Sequence, residues 1–257
     1  MTKKLQSITN KAAPAIAVIV IVLIWYFCCS REVVPAYMLP SPYDVVKAFL
    51  NNFDVMMKQG IVTLQESIFG LGIGIALAFV VASLMDRFSF LRKAIYPILV
   101  VTQTIPTIAI APLLVLWMGF GMAPKITLVV ITTFFPIAIG LLNGFESVDA
   151  DALNLMRAMG ASRLQIFRYV KLPNATADFF SGLRISSAYA VVGAVVSEWL
   201  GGFEGLGVYM TRVKKAYAFD KMFAVIVFIS VISLALMACV SLLEKACMPW
   251  NKVGKSN

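Results

Sequence analysis

The chain has 257 residues, 60% of them hydrophobic and only 14% charged, with a mean hydropathy of +0.88. A water-soluble surface cannot be built from that composition, so a soluble domain is excluded, and the useful unit of length is the apolar segment of roughly 20 residues that crosses a bilayer. Lys and Arg outnumber Asp and Glu by 22 to 13, a net +9 that in a membrane protein gathers in cytoplasmic loops against anionic lipid rather than on nucleic acid, and the lack of any histidine removes imidazole metal sites, Ser-His triads and histidine proton relays.

Residues 1–11 are polar and carry Lys3, Lys4 and Lys11 ahead of an apolar run over 12–29. The run is too long for the core of a signal peptide, and Arg31-Glu32-Val33-Val34-Pro35 follows it in place of a small-x-small cleavage site, so it reads as a first membrane helix. The four cysteines, Cys28, Cys29, Cys239 and Cys247, fall within or at the ends of predicted spans without zinc-site spacing and read as packing or lipid-facing residues.

Leu39-Pro40-Ser41-Pro42-Tyr43-Asp44 marks a helix start: Ser41 as cap, Pro42 at the first helical position, Asp44 complementing the dipole. Val45, Val46, Phe49, Leu50, Phe53, Met56 and Met57 recur at three- and four-residue spacing, which predicts an amphipathic helix over 41–58 lying in the membrane interface. Further spans are expected at 61–85, 94–117, 126–142, 177–199 and 222–243, giving an all-α integral membrane fold of six transmembrane helices. Gly70, Gly72 and Gly74 in the second span are small residues of the kind that let helices pack closely. With the N-terminus cytoplasmic, thirteen basic residues fall inside and eight outside, Arg184 being ambiguous, so the bias places both termini in the cytoplasm.

The segment 143–176 is too polar for lipid yet patterned like structure. One short helix is expected from about Asp149 to Met159, ended by Gly160; a second begins at Ser162, whose capping box with Gln165 opens a helix running to Lys171, where Leu172-Pro173 stops it. A helix-Gly-helix element projecting from a membrane bundle is a docking knob for a soluble partner.

Gly160-Ala161-Ser162, Ile166 and Leu172-Pro173 resemble the EAA loop of binding-protein-dependent ABC importer permeases. The similarity continues through Ser181-Gly182-Leu183-Arg184 and Val195-Val196-Ser197-Glu198. Upstream, Leu39-Pro40-Ser41-Pro42, Ile105-Pro106 to Pro112 and Leu116-Trp117-Met118-Gly119-Phe120-Gly121 look like the nitrate, sulfonate and taurine branch, so the resemblance covers most of the chain from Leu39 to Trp250. One departure stands out: Asn154-Leu155-Met156 occupies the place of the family's usual Glu-Ala-Ala.

The resemblance implies a permease subunit of the bacterial cytoplasmic (inner) membrane, paired as a homodimer or with a closely related subunit, with a cytoplasmic ABC ATPase docked on the loop and an extracytoplasmic solute-binding protein delivering substrate. It implies no cofactor on this chain, ATP and Mg being bound by the ATPase; in agreement, the sequence contains no G-x-x-x-x-G-K-[ST] phosphate loop. Transport would proceed by alternating access. The substrate class it implies is a nitrate-, sulfonate- or taurine-like anion or a thiamine pyrimidine precursor, and Ser197-Glu198-Trp199-Leu200-Gly201-Gly202 with Gly205-Leu206-Gly207-Val208-Tyr209-Met210 looks closer to the thiamine-precursor side. A secondary transporter or channel working without an ATPase is the alternative, with no inverted repeat and few mid-membrane acidic residues to support it.

Polar groups inside the membrane need a water-filled cavity or a partner. Glu198, near the outer end of the fifth span, either lines the pathway or pairs with a basic residue of the following loop, such as Arg212 or Lys214. Thr102, Gln103 and Thr104 ahead of Pro106 either face the cavity or accompany a proline kink. Gln65 and Glu66 read as interfacial. The stretch Gly201 to Gly207 follows a membrane helix, not a strand, and reads as a flexible outer turn, which the resemblance puts near the outer gate.

Overall fold

The computed structural model describes residues 2–31, 33–35 and 38–249, and side chains from residue 13 onward apart from Pro14. The charge assignments made for Lys3, Lys4, Lys11, Lys252 and Lys255, and the readings that involve Glu32 and Trp250, lie outside the described residues and side chains. Among the described residues the regular elements are all helical: α1 (Thr2–Ser30), α2 (Pro42–Asn51), α3 (Phe53–Arg87), α4 (Ser89–Thr104), α5 (Thr107–Met118), α6 (Met122–Glu146), α7 (Ala150–Ala158), α8 (Arg163–Ile166), a π-helical turn (Phe167–Lys171), α9 (Leu172–Gly201), α10 (Leu206–Lys215) and α11 (Phe219–Cys247). Among the described residues, α3, α6, the run Arg163–Gly201 and α11 are each long and apolar enough to cross a membrane, and the bent pair α4–α5 raises the count to five. The described apolar stretch of α1, Ala15–Ser30, is shorter than the roughly 20 residues a span requires.

Two compact units emerge from the contacts. The first comprises Met1–Met57 and Tyr209–Phe228. Here Ser41 caps α2, accepting a hydrogen bond from the Asp44 N–H, with Pro42 in the first turn as its fixed φ favours. Trp25 of α1 donates from Nε1 to the Pro40 carbonyl at 3.1 Å and stacks on Phe223 at 5.9 Å. Phe49, Phe53 and Phe228 form an aromatic trio with centroids 5.7 to 6.1 Å apart. The amphipathic pattern predicted over 41–58 is split by Asn52, and its second half belongs to the long helix α3.

The second unit, Lys58–Val208 and Ile229–Asn257, is organised on the close pairing of α6 with α9. These helices touch along small residues. A Cβ on Gly182 would strike the Pro136 carbonyl oxygen, one on Gly140 would lie 2.6 Å from the Asp178 oxygen, and one on Gly144 would lie 2.5 Å from the Ala175 Cα. Between helices already surrounded by apolar lipid, such backbone approach supplies the dispersion that hydrophobic burial cannot. Helix α3 docks on the same partner through Gly70, facing Val129, and Gly74, facing Thr133, whereas Gly72 faces open space. Pro136 removes one N–H from α6, and Ser186 of α9 donates to the nearby Thr133 carbonyl at 2.8 Å.

One sequence expectation is refined and another is corrected. The span expected over 94–117 is two helices meeting at Ile105-Pro106 with a bend of 101°. Both residues are extended there, because the residue before a proline avoids the helical region and the proline has no N–H to continue the ladder. Conversely, Leu172-Pro173 does not stop the helix begun at Ser162. The π-helical turn just ahead, in which the Leu172 N–H bonds to the Phe167 carbonyl, lengthens the ladder by one residue and absorbs the proline, so that one continuous helical run reaches Gly201.

The close seam predicts a sharp contrast between glycines. Gly182→Leu is expected to destabilise the protein by about 1–3 kcal/mol through overpacking, seen as a lowered Tm in detergent, while Gly72→Leu leaves Tm unchanged.

Candidate functional site

Three features of the second unit carry candidate functional residues. The first is the projecting element of residues 143–176. Asp149 caps α7, accepting from the Asp151 N–H at 3.0 Å. The helix closes with the Gly160 N–H bonded to the Arg157 carbonyl and the Ala161 N–H to the Met156 carbonyl, a paired arrangement that requires the left-handed φ of +78° found at Gly160. The capping box predicted for Ser162 and Gln165 is present: Gln165 Oε1 accepts from the Ser162 N–H at 2.7 Å, and Ser162 Oγ accepts from the Gln165 N–H at 3.3 Å. Asn154 holds the Arg157 guanidinium at 3.2 Å. The root of the element is fixed by Ile166, which is buried, by Phe167 against Phe145 at 5.2 Å, and by Lys171 paired with Asp86 at 2.5 Å. Its tip leaves Leu155, Met159 and Leu164 at 62–74% exposure, alongside exposed Asn154, Gly160 and Ser162 and half-buried Ala161.

The second feature is a cavity of about 250 Å³ where the bent pair meets α6 and α9. Thr102, Gln103, Thr107, Thr132 and Tyr189 supply its polar lining, beside Ile105, Val192 and Gly193, and no charged side chain faces it. Of the predicted pathway residues, Gln103 lines this cavity. Thr104 turns its hydroxyl back to the Val101 carbonyl, and Pro106 forms the bend.

Glu198 belongs instead to the third feature, a buried polar cluster in which it is 1% exposed. Its Oε1 accepts from Thr63 Oγ1 at 2.7 Å, and its Oε2 accepts from the Gly207 N–H at 2.5 Å. Thr63 Oγ1 in turn accepts from the Leu206 N–H at 2.9 Å, and Gln59 Oε1 from the Gly205 N–H at 2.6 Å. Lys125 Nζ donates to Glu66 Oε1 at 2.6 Å and to the Glu204 carbonyl at 3.3 Å. Glu66, expected at the interface, is fully buried, and its Oε2 has no hydrogen-bond partner. The supposedly flexible stretch after Gly201 is therefore fixed, and Gly205 to Val208 are buried. Sequence reasoning missed Gln59, Thr63 and Lys125. The signal available was a row of polar and small residues at 59, 63, 66, 67, 70 and 74, one face of an otherwise apolar helix.

A polar helical element with an exposed apolar tip at one end of a helical membrane bundle, and an uncharged pocket among the bent pair, α6 and α9, is the layout of a transport subunit. The family model described as "Binding-protein-dependent transport system inner membrane component" matches residues 70–248. The chain belongs to this family. The permease is 33% identical to the formylaminopyrimidine transport permease protein ThiX of Halalkalibacterium halodurans, over 93% of this chain and 96% of that protein. It is 30% identical to the putative aliphatic sulfonates transport permease protein SsuC of Bacillus subtilis, over 90% of this chain and 85% of the relative. Its fold matches an inward-facing form of the MetNI methionine ABC transporter with a TM-score of 0.66, at 20% identity, covering 75% of this chain and 96% of that one. The permease is thus the multi-pass membrane component of an ABC importer for small solutes and not itself an ATPase; a binding-protein-dependent system supplies the ATPase and the binding protein as separate partners.

The buried cluster holds two carboxylates against one ammonium, so Lys125→Met, by stripping Glu66 of its counter-charge, is expected to cost about 3–5 kcal/mol. Lys125→Met combined with Glu66→Leu should restore most of that loss, and thermal unfolding of the three variants in detergent measures the coupling directly.

Proposed function

We propose that the permease imports a thiamine pyrimidine precursor of the formylaminopyrimidine type, working as a homodimer whose 143–176 loops receive the ATPase on the cytoplasmic side. In this reading the chain crosses the inner membrane six times, with α1 as the first span, the bent pair as the third, and both termini cytoplasmic. The observation that carries the ATPase assignment is the exposure of Leu155, Met159 and Leu164 on a firmly rooted base, since large apolar side chains left exposed on an otherwise polar segment mark a protein contact. Gly160 sets the angle between the two short helices that present it; Ala161, Ser162 and Ile166 hold the second helix, and Leu172-Pro173 with the π-helical turn joins it to α9. Asn154 takes the place of the family's acidic residue by orienting Arg157.

The choice of substrate rests on the uncharged cavity. A sulfonate in a low-dielectric site calls for a cation, and none lines this one; hydroxyls, one amide and the Tyr189 ring suit a neutral, planar, hydrogen-bonding heterocycle. The name of the relative ThiX points the same way.

Uptake by proteoliposomes holding the permease, its ATPase and its binding protein tests the reading. Labelled formylaminopyrimidine should accumulate with ATP, and Gln103→Leu should reduce the maximal rate by about tenfold, the equivalent of one lost hydrogen bond. Accumulation of taurine in its place, or a Gln103→Leu variant with unaltered uptake, would count against this substrate. Gly160→Val forces a β-branched residue to a φ of +78°, at about 1–2 kcal/mol or more. Its expected effect is ATP hydrolysis that no longer drives uptake, with membrane insertion intact.

A further inference from the structure

The turn between α9 and α10 is held in an unusual way. Helix α10 begins at Leu206, and the first N–H groups of any helix lack partners within it. Here three consecutive donors, on Gly205, Leu206 and Gly207, are met by side chains from elsewhere in the chain: Gln59 and Thr63 of α3 and Glu198 of α9. The Thr63 hydroxyl is the node, because it donates to Glu198 while accepting from Leu206. The Glu198 carboxylate sits where the positive end of the α10 dipole favours an anion. Lys125 adds a fourth fixing point at the Glu204 carbonyl and ties it to Glu66 on α3.

The glycines show how closely the turn is fitted to that carboxylate. A Cβ on Gly205 would run into the Glu198 carboxylate, one on Gly207 would lie 2.9 Å from Oε2, and one on Gly202 would lie 2.9 Å from the Glu198 carbonyl oxygen. At φ +118° Gly205 is also in a conformation closed to other residues. Every group in the arrangement is polar and replaceable by water. A polar contact of this kind is tight while dry, and when it parts each donor and acceptor exchanges its partner for water, exposing the buried side chains of Leu206 and Val208 beside it. The turn lies at the end of α9 opposite the loop proposed to dock the ATPase.

We propose that Gln59, Thr63 and Glu198 form a latch that holds the Gly202–Gly207 turn shut at the outer end of the permease, and that each transport cycle breaks and remakes it. The inference rests on the reading of loop 143–176 as cytoplasmic. Lys125 and Glu66 act as positioning residues, keeping α3 and the turn in register so that the three acceptors meet their donors.

The test uses the complete importer in sealed vesicles of known orientation. Cys28, Cys29, Cys239 and Cys247 are replaced by serine, and Leu206→Cys, at a side chain that is wholly buried, serves as the reporter for a membrane-impermeant maleimide. The latch predicts slow labelling from outside at rest and faster labelling during ATP turnover. Thr63→Val should raise the resting rate by about tenfold, as loss of a hydrogen bond to a charged group implies, and Thr63→Ser should restore protection because it keeps the hydroxyl. Should Thr63→Val fail to assemble, Gln59→Leu, which removes only the Gly205 bond, must raise the resting rate in the same sense. Labelling that ignores both the nucleotide state and these substitutions would identify a static staple and overturn the latch. Labelling confined to inverted vesicles would instead overturn the assignment of the loop to the cytoplasm, a separately recognisable failure.

Discussion

The approach of α6 to α9 through Gly140, Gly144 and Gly182 is the contact on which the second unit depends. Lipid tails compete with leucine for leucine, so apolar side chains alone give membrane helices little reason to associate, and backbone-to-backbone packing supplies what burial cannot. Once these two helices are in contact their positions are fixed to within a fraction of a side chain, and α3 adds itself to the same partner by the same means at Gly70 and Gly74. Leu71, Ala78, Ile137, Leu141 and Leu183 then fill the space that remains as one connected core.

Charge is distributed around that core by a consistent rule. At the end that carries residues 143–176, three acidic groups are joined to basic groups on other elements: Asp86 to Lys171, Glu146 to Arg92, and Glu244 to Arg184. These pairs are partly exposed and contribute little stability each, but they define which helix ends lie together. At the opposite end the Glu66, Lys125 and Glu198 cluster buries two carboxyl groups and one ammonium, an expensive arrangement that stability alone does not explain. The contrast between cheap pairs at one end and a costly cluster at the other supports assigning motion to the latter.

Local chemistry was the most legible part of the sequence. Ser41, Gly160 and the Ser162–Gln165 box are short-range signals whose partners lie within a few residues, and the structure has each of them where the pattern places it. Hydropathy located the apolar segments but was blind to the break at Ile105-Pro106, because both halves of the bent pair are equally apolar. Leu172-Pro173 was misread for the opposite reason: a proline is a stop signal only when the helix before it is regular, and a π-helical turn is invisible in composition. The buried cluster was the least legible. Glu66 lies 59 residues from Lys125, and Thr63 lies 135 from Glu198, so only the fold brings them together, and each residue alone resembles an ordinary interfacial polar group.

The uninterrupted run from Arg163 to Gly201 has a mechanical meaning. Its 39 residues extend roughly 58 Å at 1.5 Å per residue, more than the thickness of the hydrocarbon layer, with the exposed apolar tip proposed to meet the ATPase at one extremity and Glu198 near the other. On the proposed function, a connecting rod of this kind would need no relay of rearranging side chains between its ends: a tilt imposed on the tip would be delivered as displacement of the Glu198 carboxyl group. The π-helical turn, set in the run where it leaves the 143–176 segment, departs from regular α-helical geometry, so on the proposed function its stiffness would set how much of the stroke arrives.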